Sequence, residues 1–198
     1  HEATTKTEQE THLSGLSVHN YFFAKSVDML RPGGILAQVV SNSFMDAGRD
    51  RARKYIGERT RLLGAIRLPN NAFAKNAGTE VTTDLIFLQK LPEAEWGTKA
   101  TREASAAWAD LVEVPDPAGG KPIPVNRYFA EHPEMMLGEI GRKGTMYRAD
   151  MPALVARPGQ DTGALLRKAV ARLPADVYVP PAAAGTATMT ANLRQRMV

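Results

Sequence analysis

Between Tyr21 and Phe44 an amphipathic helical pattern is cut off by Arg31-Pro32-Gly33-Gly34. An apolar, β-branched run over 35–40 follows at once and closes on Ser41-Asn42-Ser43. Proline cannot continue the helical hydrogen bonding, and paired glycines free the backbone to turn, so the helix must stop there. A short, continuously apolar strand suits the centre of a parallel sheet covered on both faces. Ligands of such sheets sit at the C-terminal ends of the strands, which puts expected chemistry at Ser41-Asn42-Ser43. The chain opens only just before this helix, so half of the sheet is expected to lie upstream.

The 198 residues suffice for one domain or one and a half. With 43% apolar and 23% charged residues, the composition is that of a soluble globular protein. No apolar run approaches the ~20 residues that span a bilayer, and residues 1–10 lack the basic-then-apolar pattern of a signal peptide. The absence of cysteine excludes disulfides, thiolate nucleophiles and cysteine zinc sites. His1, His12, His19 and His132 do not share metal-ligand spacing, and no Ser/His/Asp arrangement emerges. The net charge of +4 is compatible with a phosphate-rich partner, and equally with a solvated surface. Arg49, Arg51, Arg53, Lys54, Arg59, Arg61 and Arg67 concentrate much of it in one stretch.

Residues 1–13 read as an extended arm. Ser17 is a plausible N-cap for the first helix. A second helix is expected over 46–63, broken by Gly64, then a short strand over 65–69 closed by Pro69. Residues 70–80 read as a loop. The β-branched run 81–90 is the strongest strand, and with no helix before it, it should pair antiparallel with its predecessor. Residues 92–124 read as a linker. A small helical extension is expected over 125–180, with helices over 125–137 and 162–173 and a hairpin joining Met146-Tyr147 to 153–157. Residues 181–198 read as linker or tail.

Four features in this order resemble the C-terminal half of the catalytic domain of amino-type, N6-adenine DNA methyltransferases. They are Met29-Leu30-Arg31-Pro32-Gly33-Gly34 before a strand, Ser41-Asn42-Ser43-Phe44 after it, Ile66-Arg67-Leu68-Pro69, and Phe73 ahead of the Val81 to Leu88 strand. Tyr128 to Gly138 resembles an element of the large plasmid- and phage-borne methylases of this kind. The resemblance covers 14–180. It implies an α/β fold: a partial Rossmann-like methyltransferase sheet made of the late strands, the last one antiparallel, with a mostly helical C-terminal extension. The methyltransferase-like half would occupy 14–91.

The family's Gly-rich loop for S-adenosylmethionine and its Asn/Asp-Pro-Pro-Tyr/Phe tetrapeptide are absent. In the family, that tetrapeptide accepts the hydrogens of the adenine amino group, whose lone pair attacks the sulfonium methyl in line. The resemblance therefore implies a fragment that uses S-adenosylmethionine only together with an upstream segment, has no catalytic residue of its own and is inactive alone. The implied partners are DNA and the upstream segment or another chain that completes the sheet. The setting would be cytoplasmic restriction-modification. The alternative is a non-catalytic, DNA-contacting module of a very large phage or mobile-element protein, virion-associated if so. RNA or protein amines and amides remain open as substrates.

The implied target-base pocket draws on Phe73, Asn42, Ser41 and Lys75. Phe73 either stacks on an extruded base or anchors its loop in the core. Asn42 and Ser43 either line the pocket or cap the next element. Lys75 and Asn76 either touch phosphate or are solvated. Arg49, Arg53 and Lys54 either meet DNA backbone or form a solvated helix face. Tyr21, Phe22 and Phe23 are expected in the core. Asp84, a carboxylate in an apolar strand, needs a partner, for which Arg67 on the neighbouring strand is the candidate.

Overall fold

The Ser17 hydroxyl accepts the Asn20 N–H at 3.4 Å and starts α1, Val18–Met29. The computed structural model describes residues 13–78, 80–142 and 152–180. Phe23, Ala24 and Val27 form the buried face of α1, and Phe23 packs on Phe44 with ring centroids 4.7 Å apart. Gly33 then takes a left-handed backbone, φ +74, that favours glycine. The turn is also the start of a ladder: Gly33 N–H donates to Lys90 O at 2.8 Å, and Lys90 N–H donates to Gly34 O at 2.9 Å. The Arg-Pro-Gly-Gly stop thus hands the chain directly to β1, Ile35–Ser41.

Two short helices follow, α2 at Ser43–Asp46 and α3 at Arg51–Gly57. Then come β2, Thr60–Leu68, the turn helix α4, Ala74–Ala77, and β3, Thr83–Lys90. The sheet order is β1-β3-β2, with β3 antiparallel to both neighbours. The antiparallel pairing expected of the last strand is present, and β1 and β2 run parallel on either side of it. The expectation for β1 itself is corrected. The departure is in its cover: on one face Ala37 and Val39 are exposed, Val39 at 58%, while among the described residues it pairs only with β3, the open edge that a sheet continuing upstream would leave. A continuous apolar run does not encode which strand will lie beside it. The buried centre falls to β3, where Ile86 and Leu88 are fully enclosed.

The helix expected over 46–63 is also corrected. It is replaced by α2, α3 and the first residues of β2. Gly64 sits inside β2, where the register with β3 shifts between Leu62 and Gly64, so it marks a bulge and not a helix end. A Cβ there would run into the Leu173 side chain.

The stretch 92–124, expected as a linker, holds α5, Lys99–Ala109, and the strand β4, Leu111–Val114. The Thr98 hydroxyl accepts the Thr101 N–H at 3.2 Å and caps α5. The inward face of α5 is Thr101, Ser105, Trp108 and Ala109. Small hydroxyls at core positions hide a helical period from a hydrophobicity reading. The helix comes close to α3: a Cβ on Gly57 would stand 2.6 Å from the Ser105 Cβ. β4 pairs antiparallel with β5, Ile123–Asn126, across the Asp116–Pro117 turn.

The extension expected to be mostly helical is instead mixed. It carries β5, then α6 at Arg127–Glu131, a 3-10 turn at Pro133–Met135, and β6 at Glu139–Arg142. β7, Pro152–Val155, pairs antiparallel with β6, and α7, Thr162–Val170, follows. The second arm of the expected hairpin overlaps β7, whereas Met146 and Tyr147 lie outside the described residues, as do the tail 181–198 and most of the expected arm. Leu13, the last residue of that arm, is fully buried. No helix among the described residues is long and apolar enough to cross a membrane.

One side chain joins these parts. Arg67 of β2 sits opposite Asp84 of β3 and binds it through Nε at 2.7 Å and Nη2 at 2.8 Å. Its Nη1 and Nη2 also reach Asp46 at 2.7 and 3.0 Å, and its guanidinium lies over the Phe129 ring at 4.2 Å. Burial alone would lower the Arg67 pKa, but Asp84 and Asp46 outweigh it and hold the group well above its ordinary value. Asp46 Oδ1 in turn accepts the Asn126 N–H at 3.0 Å, which carries the network into β5. Removing the cation strands two carboxylates, so Arg67→Met should cost about 3–5 kcal/mol in urea unfolding. Replacing Asp46 and Asp84 by Leu in the same chain should recover most of that loss. A single-variant loss below about 1 kcal/mol contradicts this account.

Candidate functional site

β1 ends where its ladder runs one residue past the strand, with Asn42 N–H donating to Thr82 O at 3.0 Å. At Asn42 the backbone turns helical, φ -56 and ψ -19, and this turn leaves Ser41 and Ser43 close, with their hydroxyls hydrogen-bonded to each other. Both line an open groove of about 710 Å³ between the start of α1, the end of β1 and the loop ahead of β3. Phe73, Phe22, Arg49 and Thr83 also line it. None of the described lining residues is a carboxylate.

Phe73 immediately precedes α4, and its ring is half-buried, with one side packed on the core. The packing agrees with the loop-anchor reading of this residue, and the other side of the ring faces the groove. Asn42 turns the other way. Its Nδ2 donates to Asp46 Oδ2 at 3.4 Å, and it lines a water-sized cavity of about 10 Å³ beside Arg67 and Thr82. The structure thus brings Ser41, Ser43 and Phe73 together and separates Asn42 from them. Lys75 is exposed on α4 and is not part of the groove lining. The Asn76 side chain lies outside the described residues.

The basic stretch disperses. Arg53 is only 1% exposed, and its guanidinium donates to Ala109 O at 3.0 Å, Phe44 O at 2.7 Å and Ala47 O at 2.6 Å. Burial lowers its pKa, while Asp50, Asp46 and Asp110 pull the other way. It is a structural cation that pins the α2 region to α5, which corrects its expected place on a DNA-facing surface. Lys54 is exposed and paired with Asp50 at 2.6 Å. Arg59 lies over the Tyr55 ring at 3.7 Å, and Arg61 is hydrogen-bonded to Gln89. Arg51 donates to Ser14 O at 2.9 Å. Arg49 is exposed and makes no hydrogen bond or ion pair with a described residue.

Phe22 was expected in the core and is 60% exposed in the groove. The helical period holds the signal: Phe23 and Val27, four apart, are buried, whereas Phe22 shares the outer stripe with Met29, seven residues on. His132, expected in a turn, lies against the Tyr128 ring at 4.6 Å. Among the described residues no cluster of three metal-ligating side chains occurs.

No protein-family model matches the chain. Over 74 residues it is 31% identical to the Defense against restriction protein B of Escherichia phage P1, covering 37% of this chain and 3% of the phage protein. The chain thus spans a small fraction of that relative's length. Among solved structures it is similar to the M protein of the type I restriction enzyme EcoKI, at 14% identity and a TM-score of 0.39. That match covers 81% of this chain and 42% of the M protein.

The placement of Arg53 separates stability from binding. Arg53→Gln should lower the unfolding free energy by about 2 kcal/mol or more, since charged hydrogen bonds to three carbonyls are lost. Folded Arg53→Gln should keep the nucleic-acid affinity of the parent chain, as read by fluorescence anisotropy.

Proposed function

We propose that this chain is part of an adenine N6-methyltransferase-like protein and supplies one wall of its target-base pocket. The observation that carries the reading is the convergence of Ser41, Ser43 and Phe73 on one groove at the C-terminal end of β1. Four sequence features in the family's order support it, and so does an antiparallel last strand. The groove offers an extruded base an aromatic face at Phe73 and short hydroxyls at Ser41 and Ser43. A base out of its stack needs such a face to offset the stacking it loses.

The residues of this chain do not fit S-adenosylmethionine. The turn from β1 into α2 contains Asn42 and no glycine, so it is not the open phosphate- or cofactor-cradling loop of a nucleotide fold. The groove also has no described carboxylate to take ribose hydroxyls. Cofactor binding and the catalytic tetrapeptide are accordingly assigned to residues upstream of His1. No methyl-transfer step is assigned to this chain.

A second reading is favoured by one observation. The 74 matched residues cover only 3% of a phage protein named for defence against restriction. A methyltransferase-like module kept for its structure or its DNA contacts, inside a very long phage-type protein, agrees with that proportion. The sequence preceding His1 separates the readings: a Gly-rich loop with Asn/Asp-Pro-Pro-Tyr/Phe there supports the enzyme, and its absence supports the module.

Titration calorimetry of the 198-residue chain with S-adenosylmethionine should show no binding stronger than the millimolar range. A Kd on the order of micromolar, some −8 kcal/mol, would overturn the assignment of the cofactor to other residues. In the chain extended through its upstream residues, Phe73→Ala should lower kcat/KM for adenine methylation by about tenfold or more.

A further inference from the structure

We propose that Arg49 anchors the backbone phosphate of a single-stranded DNA segment whose base lies against Phe22 and Phe73. This rests on the base-pocket reading and adds the residue that holds the strand. The fold has sorted the basic stretch. Arg53 and Arg67 are buried on carbonyls and carboxylates, Lys54 is neutralised by Asp50, and Arg59 is laid on Tyr55. Arg51 and Arg61 also have protein acceptors. Arg49 is left without a described partner, and it lies on the groove wall.

The surroundings select the ligand. A guanidinium with no acceptor among the described residues, on a groove without a described carboxylate, favours an anion. The same groove exposes Phe22 at 60%, a large apolar ring that folding has not covered. A phosphate beside a flat apolar face is the composition of a nucleotide. Single-strand binding sites combine these two elements: a cation that tracks the backbone and aromatic rings that take unstacked bases. A duplex would reach Phe22 and Phe73 only with a base flipped out of its stack, whereas a single strand presents unstacked bases without that cost. The hydrogen-bonded Ser41–Ser43 pair keeps one hydroxyl hydrogen between them for a base edge, and Thr83, whose hydroxyl donates to Val81 O at 3.0 Å, adds an acceptor.

The test is fluorescence anisotropy of the 198-residue chain with a short labelled oligonucleotide. The oligonucleotide carries one adenine among thymidines or an abasic site in its place, and the titrations run over a salt series. Arg49 has no hydrogen bond to a described residue to lose, so Arg49→Gln should unfold at the parent's midpoint. It should weaken binding several-fold and reduce the slope of log K against log salt by about 0.7, the share of one single-strand phosphate. Lys54→Gln should leave the slope within error. Phe22→Ala should weaken binding about tenfold on the adenine probe and not at all on the abasic one.

An unchanged slope in Arg49→Gln, or equal slope changes in Arg49→Gln and Lys54→Gln, overturns the proposal. If Arg49→Gln fails while Phe73→Ala still weakens adenine binding, the base-pocket reading survives its extension. If the Arg49→Gln slope shifts while Phe73→Ala and the abasic probe have no effect, the base-pocket reading is the one that falls. Tighter binding to a fully paired duplex than to single strand overturns the single-strand assignment and leaves the base-pocket reading, which also takes a base flipped from a duplex, standing.

Discussion

The buried guanidinium of Arg67 is the constraint on which the described architecture depends. It lies on β2, faces Asp84 across the central ladder, reaches Asp46 at the end of α2 and rests on Phe129 of α6. Such a group cannot be left half-paired, because an uncompensated buried charge costs several kcal/mol. The three-stranded sheet, the turn after β1 and the β4–β5 hairpin are therefore tied to one another through a single buried network. Asn126 extends the same logic, since its Nδ2 donates to Met45 O and Trp108 O while its N–H donates to Asp46. The segment that composition marks as an appendage is in this way bolted to the sheet through polar contacts.

That arrangement shows what the amino-acid sequence makes legible. The helix stop at Arg31-Pro32-Gly33-Gly34, the Ser17 cap and the β3 strand are local statements, fixed by backbone chemistry, and they are found where expected. The Arg67–Asp84 pair is also readable, because a carboxylate in an apolar strand demands a neighbour. Asp46 is not readable as its second partner, since it stands on a different element 21 residues away. The exposed face of β1 is likewise hidden, because a continuous apolar run does not show that Ala37 and Val39 stay uncovered. The helix at Lys99–Ala109 is missed for another reason: its inward face is Thr101 and Ser105, whose burial follows from the close approach of Gly57.

The candidate site divides in the same manner. Ser41, Ser43 and Phe73 are gathered as strand-end logic suggests, whereas Asn42, between two of them, turns helical and reaches toward Asp46 beside Arg67. Seven basic residues look alike in a sequence. Only their acceptors tell them apart, and those acceptors are carbonyls and carboxylates distant along the chain. The aromatic run at Tyr21-Phe22-Phe23 carries its answer in the helical period, which places Phe22 opposite the buried stripe.

The two walls of the groove are held very differently. The wall at 41–47 is fixed from behind by Arg53 on two carbonyls and by Arg67 on Asp46. The opposite wall rests on α4, a single turn ended by Gly78 at φ +62, with Phe73 at its start. Lengthening or shortening that turn would resize the groove without disturbing a buried charge. The rigid side then works as a fixed jaw and the loop as an exchangeable insert, so that relatives could accept different ligands on one unaltered frame.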